Sequence, residues 1–184
     1  MTQRVDLATV MDRMAIDALI SGYAAAVDDG DWPAYRALFS PGGRADYRSS
    51  GGIEGPAGEV ADWLADTLRL FPMRQHLIVN RTIRLEYVDG DVGDSAQVRA
   101  DYVNPMRTHA DGGAPDFECG GRYSFSVLRT AAGWRVLQVV VQEKWRRVGI
   151  PSQAAPVADA QEERTPAPAP STPAPAPRQA PEAS

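Results

Sequence analysis

The stretch "GRYSFSVLRTAAGWRVLQVVVQEKWRRV", residues 121–148, decides the fold. Two runs rich in β-branched and aromatic residues flank the turn "AAG" at 131–133, which is the pattern of a long antiparallel hairpin. Two earlier stretches also alternate as strands do, "QHLIVNRTIRLEYVDGD" (75–91) and "SAQVRADYVNPM" (95–106). We therefore predict about four antiparallel strands in the second half of the chain.

The first half of the chain carries helical patterns instead. Apolar residues recur at steps of three and four over about 7–28, which predicts a long first helix. The apolar face of this helix comprises Val10, Met14, Ile16, Leu19, Ile20, Tyr23 and Val27. Asp31 caps a short second helix, Pro56 opens a third over 57–70, and "RADYRS" (44–49) reads as a short strand. Helices followed by strands indicate an α+β fold, a curved sheet with helices packed on one side.

Composition divides the chain into a folded part and a tail. From Pro151 onward Ala, Pro, Ser, Gln and Glu dominate, and most of the 15 prolines lie there. Such a segment has too few apolar side chains to offset the entropy lost on ordering. We expect a folded domain over 1–150 and a disordered Pro/Ala-rich tail over 151–184.

Charge and cysteine content narrow the function classes. The net charge is −5 and no basic run exceeds "KWRR" at 144–147, so we expect no nucleic-acid partner. The single cysteine, Cys119, allows no intrachain disulfide. The N-terminus has no apolar segment long enough to enter a membrane, and we expect a cytoplasmic protein that binds no membrane.

Five stretches carry a resemblance to a known family. They are "YAAAVDDGDWPAYRALF" (23–39), "ADY" (45–47), "RQHLIVN" (74–80), "AQVRADYV" (96–103) and the closing hairpin (121–145). In this order they resemble the SnoaL-like branch of the nuclear-transport-factor-2-like superfamily, which includes scytalone dehydratase, bile-acid 7α-dehydratase, ketosteroid isomerases and polyketide cyclases. The resemblance implies a strongly curved, mostly antiparallel sheet that forms a conical barrel around an apolar pocket, closed by about three N-terminal helices.

The resemblance also implies a set of site residues. In the dehydratase members a Tyr and an Asp near the end of the first helix, a Tyr on the first strand and a His after the third helix line the pocket. The matching residues here are Tyr23, Asp28, Tyr47 and His76. A further His or Asp lies on a later strand in those relatives, and Asp101 is the residue that this sequence offers there.

These residue types suit proton transfer. An imidazole such as that of His76 carries protons near neutral pH, and Asp28 would fix its tautomer and stabilise its charged form. Tyr23 and Tyr47 would donate hydrogen bonds to an enolate; alternatively, they pack the core with their hydroxyls at its rim. Asp101 is a second acid–base group or a polar anchor if its strand face lines the pocket, and a surface residue if that face meets solvent.

The pocket should accept a flat, ring-like molecule. We expect substrate contacts from the apolar residues Trp32, Phe39, Trp63, Leu64, Met73 and Tyr123, and polar contacts from Gln138 and Gln142. No phosphate loop, Ser-His-Asp order or metal-ligand cluster is visible, so we expect neither a cofactor nor a metal.

The sequence thus predicts a cofactor-independent lyase or isomerase, dehydratase-like, acting on a hydrophobic ring-containing carbonyl compound such as a polyketide, steroid or terpenoid. Two alternatives stay open: a non-catalytic module that binds a small hydrophobic ligand, and a structural small subunit of a ring-hydroxylating oxygenase. A homo-oligomer, dimer or trimer, is also expected, because the open sheet face looks apolar. The residues assigned to that face are Leu77, Val79, Leu137, Val139 and Val141.

Overall fold

A computed structural model describes residues 6–86 and 92–149 of the chain. The predicted tail over 151–184 and residues 87–91, at the end of the predicted strand over 75–91, lie outside the described residues. Within these residues the helices are α1 (Leu7–Asp29), α2 (Trp32–Ala37) and α3 (Ala57–Leu68), with a short 3₁₀ turn at Arg48–Ser50. The strands are β1 (Phe39–Asp46), β2 (Glu54–Pro56), β3 (Met73–Arg74), β4 (Leu77–Glu86), β5 (Ser95–Arg107), β6 (Phe117–Thr130) and β7 (Gly133–Val148).

The strands form a single curled sheet in the order β2-β1-β7-β6-β5-β3, and β4 also pairs with β5. All pairs are antiparallel except β1 with β7, which run parallel. The sheet is a strongly curled half-barrel with the helices at its concave side, which confirms the predicted α+β class. The sequence patterns did not reveal the two short strands, β2 and β3, because three and two residues are too few to show alternation.

The helix ends follow their capping residues. The Asp6 side chain accepts the backbone N–H of Thr9 at the start of α1, and Gly30 ends that helix at a left-handed φ of 69°. Asp31 accepts the backbone N–H of Ala34 and caps α2, as predicted. No helix among the described residues is both long enough and apolar enough to cross a membrane.

The buried face of α1 is shorter than predicted. Ile16, Leu19, Ile20, Tyr23 and Val27 are buried in the core, as expected. Val10 and Met14 are exposed, so their assignment to the core face was wrong. Asp12 lies between them and is buried, where it accepts hydrogen bonds from Arg129 and Trp134, and apolar periodicity gives no sign of such a polar contact.

Strand β5 shows how the sheet separates its two faces. Its even-numbered residues, from Ala96 through Tyr102 to Met106, are buried, and its odd-numbered residues are exposed or partly exposed. Side chains alternate between faces along a strand, so this parity decides which residues of β5 can reach the concave side.

Strand β4 changes parity at a bulge. Val79 pairs with Asp101 but Thr82 pairs with Arg99, so one extra residue is inserted between them. Asn80 lies there at φ 53°, a left-handed conformation that Asn tolerates better than most residues. Because of the bulge, Ile78 and Ile83 both turn toward the core although their numbers differ in parity.

The outer sheet face is less apolar than predicted. Leu77, Val79 and Leu137 are exposed, in agreement with the sequence analysis. Val139 and Val141 are fully or almost fully buried on the concave side, so their assignment to the open face was wrong. The irregularity in the β6–β7 pairing between Ser126 and Val127 shifts the parity of β7 relative to a plain alternation.

Candidate active site

A cavity of about 310 Å³ lies between the concave face of the sheet and the helices. Its wall is largely apolar and aromatic, with a few polar groups at defined places, as small-molecule sites are. The lining residues are Val27, Tyr47, Ser50, Trp63, Leu64, Thr67, Leu68, Leu70, Phe71, His76, Tyr102, Asn104, Met106, Phe117, Cys119, Tyr123, Val141, Glu143 and Arg146.

His76 lies in the wall of this cavity and makes a two-point contact with Asp28. Asp28 Oδ1 lies 2.5 Å from His76 Nδ1, and Asp28 Oδ2 accepts the backbone N–H of His76 at 2.7 Å. The His76 side chain is 7 % exposed and that of Asp28 is 20 % exposed. A carboxylate only accepts hydrogen bonds, so Nδ1 carries the proton and Nε2 keeps its lone pair in the neutral ring.

Arg74 ties together the chain segments that carry this pair. Its Nε donates to the carbonyl of Val27, next to Asp28, at 2.9 Å. Its Nη1 donates to the carbonyls of Leu68 and Phe71 at the end of α3. The residue two positions before His76 is therefore bonded to the last turns of both long helices, which fixes His76 against Asp28.

Asn104 is the second neighbour of the His76 ring. It lies on the inward face of β5, is 5 % exposed, and places its Nδ2 at 3.0 Å from His76 Nε2. The same Nδ2 lies 3.6 Å from the sulfur of Met106. The Asn104 Oδ1 is buried without a hydrogen-bond partner among the residues that the structure describes.

Tyrosine hydroxyls form the other polar group behind the cavity. The hydroxyls of Tyr23 and Tyr47 are hydrogen-bonded to each other, and Tyr47 alone of the two lines the cavity. Burial, with the neighbouring tyrosines, raises the pKa of Tyr23 well above its ordinary value, and burial likewise raises the pKa of Tyr47. Both hydroxyls therefore keep their protons at neutral pH and are available as donors.

An ion pair occupies a further part of the cavity wall. Arg146 Nε and Nη2 each lie 2.9 Å from a carboxylate oxygen of Glu143, and Nη2 also donates to the carbonyl of Ser50. The Arg146 guanidinium stands 5.4 Å from the centre of the Phe117 ring. The pair joins β7 to the 3₁₀ turn beside the cavity, and its charges offset each other.

Cys119 lines the cavity as a buried thiol. Burial raises its pKa to about 11. A thiol in this state is a poor nucleophile at neutral pH, since the thiolate is the reactive form. Cys119 therefore serves as an apolar part of the wall.

The structure brings most of the predicted site residues together. His76 contacts Asp28, Tyr23 contacts Tyr47, and His76 and Tyr47 both line the cavity. Tyr47 lies between β1 and the 3₁₀ turn rather than within the strand. The predicted contacts that line the cavity are Trp63, Leu64 and Tyr123.

Asp101 lies outside the cavity wall, so its prediction as a catalytic residue was wrong. It lies on the outer face of β5, where Arg122 Nε donates to its Oδ1 at 2.9 Å and Asn80 and Lys144 lie nearby. The hydrogen bond from Arg122 lowers the pKa of this carboxyl. Its odd position points it away from the cavity, so the inward polar residue of β5 is Asn104, three positions later.

Five predicted substrate contacts also lie outside the cavity wall, and that part of the prediction was wrong. Phe39 is buried in the core beside Tyr35, and Trp32 packs edge-on against the same ring. Met73 lies in β3 but does not reach the cavity. Gln138 and Gln142 are exposed, because the neighbouring Val139 and Val141 take the inward positions of β7.

Asn104, Glu143 and Arg146 are among the polar lining residues that sequence reasoning missed. A signal for Asn104 was present: counting by twos from Val98 through Tyr102 along "VRADYVN" leads directly to it. Glu143 and Arg146 had no such signal, because they lie beyond the irregularities in the β6–β7 pairing. No three His, Cys, Asp or Glu side chains lie together as a metal site requires within residues 6–86 and 92–149.

This arrangement, a curled sheet enclosing an apolar cavity with helices at its concave side, defines the class of nuclear-transport-factor-2-like proteins. The chain belongs to the SnoaL-like domain family, whose profile matches residues 8–140.

Known proteins support this placement. The "Uncharacterized protein Rv2910c" of Mycobacterium tuberculosis is 32 % identical over 136 residues, which cover 74 % of this chain and 88 % of that protein. The hexachlorocyclohexane dehydrochlorinase LinA-type3 of Novosphingobium barchaimii LL02 superposes with a TM-score of 0.62 at 16 % identity, covering 78 % of this chain and 94 % of the other. A putative scytalone dehydratase of Novosphingobium aromaticivorans DSM 12444 gives a TM-score of 0.58 at 17 % identity, covering 80 % and 98 %. At 16 % and 17 % identity, the similarity to these two solved structures shows a shared fold.

Proposed function

We propose that the protein is a cofactor-independent lyase or isomerase whose first step removes a proton from carbon next to a carbonyl group. The observation that carries the proposal is the His76–Asp28 contact, because it holds an imidazole in the cavity wall with one nitrogen bound and the other free of a proton. General acid–base catalysis by a positioned side chain contributes about 10²–10⁴-fold to a rate.

The cavity favours a hydrophobic ring compound as substrate. Trp63, Phe71, Phe117 and Tyr123 supply flat apolar surface, and a volume of about 310 Å³ suits a compound of a few fused rings. Polyketides, steroids and terpenoids are such compounds. The SnoaL-like family and structural neighbours with dehydratase and dehydrochlorinase names agree with a lyase.

A β-hydroxy ketone would lose water in two steps. His76 Nε2 takes the proton from the carbon between the carbonyl and the hydroxyl-bearing carbon, and the electron pair of that bond moves toward the carbonyl oxygen. When the carbonyl re-forms, the carbon–oxygen bond of the hydroxyl breaks, and Nε2–H returns its proton to the leaving oxygen. The products are an unsaturated ketone and water, and His76 regains its starting form.

Tyr47 is the group that we assign to the developing enolate. Its hydroxyl lines the cavity and is hydrogen-bonded to that of Tyr23, so Tyr23 can donate to Tyr47 while Tyr47 donates to the substrate oxygen. Such donors in a dry site stabilise charge that develops in the transition state by about 3–4 kcal/mol each.

The proposal can be tested with small ketones. Deuterium wash-in from heavy water into 2-tetralone, followed by mass spectrometry, reports proton abstraction without a leaving group. Water loss from 3-hydroxy-1-tetralone, which yields the fluorescent 1-naphthol, reports the complete elimination. We expect the wild-type protein to accelerate at least the exchange, and His76→Ala to lower its rate by about 10²–10⁴-fold.

His109→Ala is the matched control, because His109 lies outside the cavity in a loop beside Asp116. It should retain the wild-type exchange rate. A His76→Ala protein that exchanges as fast as wild type would contradict the mechanism. Binding of 2-tetralone by a wild-type protein that catalyses neither reaction would favour a ligand-binding module instead.

We also propose a homo-oligomer through the outer sheet face, since Leu77, Val79, Val103 and Leu137 expose apolar surface there. Light scattering coupled to size-exclusion chromatography measures the mass directly. A monomer at all accessible concentrations would refute this part of the proposal.

A further inference from the structure

The Asn104 amide makes contacts that fix which way it points. Its Nδ2 has two hydrogens, and two acceptors lie near it, His76 Nε2 at 3.0 Å and Met106 Sδ at 3.6 Å. Its Oδ1 has no partner in the described part of the chain. Turning the amide over would place Oδ1 against Nε2 and bring two lone pairs face to face, because Nδ1 already carries the ring proton.

Both neighbours of His76 therefore select the same tautomer. Asp28 accepts from Nδ1, and Asn104 donates to Nε2. In a free histidine side chain the opposite tautomer, with the proton on Nε2, predominates. The two contacts together hold the ring in the form with an unprotonated Nε2, which can take a proton from a substrate that displaces the Asn104 N–H from its lone pair.

We propose that Asn104 is a positioning residue that keeps Nε2 of His76 unprotonated between turnovers. This inference rests on the proposed function and deepens it, because it explains how the base is held ready. The role needs a donor, which an amide has and a carboxylate lacks.

Two substitutions of Asn104 should differ in their effect on His76 in a way that side-chain size and polarity alone would not suggest. Asn104→Asp replaces one NH₂ by one oxygen at nearly constant volume, yet it removes the donor and adds an acceptor. His76 would then stand between two carboxylates, which favour a ring protonated at both nitrogens and unable to act as base. Asn104→Leu removes the donor without adding an acceptor, so the preference for an unprotonated Nε2 then rests on Asp28 alone and is weaker.

Other charged groups around the cavity do not change this balance. Glu143 and Arg146 are bonded to each other, and burial raises the pKa values of Tyr102 and Tyr123, which stay uncharged. Asp28 is thus the single charged side chain in hydrogen-bond contact with the His76 ring within residues 6–86 and 92–149.

Nitrogen-15 spectra of the histidine rings test the inference. The chain has 2 histidines, so His109→Gln leaves His76 as the only signal. Long-range proton–nitrogen correlation spectra of histidine-labelled protein at about pH 8.5, where an imidazole is ordinarily uncharged, distinguish a protonated from a bare ring nitrogen. We expect a protonated Nδ1 and a bare Nε2 in the wild-type background.

In the same background Asn104→Asp should show both nitrogens protonated, and Asn104→Leu should show a mixture in which part of the Nε2 is protonated; an unchanged wild-type tautomer in Asn104→Leu would overturn the inference. Deuterium wash-in into 2-tetralone should fall by about 10²-fold or more in Asn104→Asp and by no more than about tenfold in Asn104→Leu. A proton on Nε2 in the wild-type background would overturn the inference, and this result needs no variant to fold. A bare Nε2 in Asn104→Asp would overturn it as well.

The tautomer assignment for His76 and the proposed enzymatic activity can be refuted independently of each other. A bare Nε2 in a protein that exchanges no protons of 2-tetralone would leave the tautomer assignment standing and remove the enzyme. Efficient exchange by a protein whose Nε2 is protonated would overturn the tautomer assignment and leave the proposed enzyme standing.

Discussion

Each face of β5 carries interacting polar side chains, which are buried on the inner face and partly exposed on the outer face. On the inner face Asn104 contacts His76, which contacts Asp28, and all three are largely shielded from water. On the outer face Asp101 contacts Arg122, and both side chains are about one-third exposed, at 32 % and 35 %.

The difference lies in the partner as well as in burial. Asp28 is paired with an imidazole, which can gain and lose a proton near neutral pH, whereas Asp101 is paired with a guanidinium, which stays charged. The inner pair can therefore move a proton, and the outer pair can only screen charge. Four predictions test this contrast, from the largest expected effect to the smallest.

Asp28→Asn should abolish most of the proton-transfer activity. An amide NH₂ facing Nδ1 would favour a lone pair there and move the ring proton to Nε2, the wrong tautomer for a base. We expect deuterium wash-in into 2-tetralone to fall by about 10²–10⁴-fold, as in triads that lose their carboxylate. A rate within a few-fold of wild type would show that Asp28 does not control His76.

Tyr47→Phe should lower both activity and stability. The variant removes the donor toward the substrate and leaves the Tyr23 hydroxyl buried without its partner. A buried unsatisfied hydroxyl costs about 1–3 kcal/mol, measured as a loss in the free energy of unfolding in urea. The elimination of water from 3-hydroxy-1-tetralone should slow by about tenfold or more. Unchanged stability would mean that the two hydroxyls do not depend on each other.

Asn80→Val should lower stability without touching the cavity. A β-branched residue at φ 53° costs about 1–2 kcal/mol relative to residues that tolerate the left-handed region. Asn80→Gly is the control, since glycine adopts this conformation freely. Thermal unfolding should rank Asn80→Gly above Asn80→Val. Equal melting temperatures would indicate that residue 80 does not need the left-handed conformation.

Asp101→Asn should leave the activity unchanged. The carboxylate points away from the cavity and meets Arg122 at the surface, where ion pairs contribute little. The exchange rate should stay within about twofold of wild type. Because Arg122 lowers the pKa of Asp101, this group stays ionised through the whole range above its ordinary pKa and adds no step to the pH–rate profile there. A large loss of activity would return Asp101 to the site.

Much of the fold and part of the site could be read from the sequence. The long hairpin, the three helices and the cap at Asp31 follow from local patterns that repeat over many residues. His76, Asp28, Tyr23 and Tyr47 were found through their resemblance to a family, and the structure pairs His76 with Asp28 and Tyr23 with Tyr47.

The predictions that failed concern which face of a strand a side chain lies on and whether an apolar side chain reaches the cavity. A single inserted residue, as at Asn80 or in the β6–β7 pairing, turns every later side chain to the other face, and no local pattern marks the insertion. Phe39 and Met73 are apolar and belong near the core, but only the three-dimensional arrangement separates a core contact from a cavity wall. Asn104 was overlooked because an amide is not a titratable group.

The position of Arg74 at the two helix ends has a consequence for ligand access. The carbonyl ends of α1 and α3 carry the negative ends of their dipoles, and one guanidinium meets both. Helix α3 also supplies Trp63, Leu64 and Leu68 to the cavity wall, so the wall and the base share one electrostatic anchor. A ligand that displaces α3 must therefore stretch the contacts beside His76, which couples widening of the cavity to the alignment of the group that would act on its occupant.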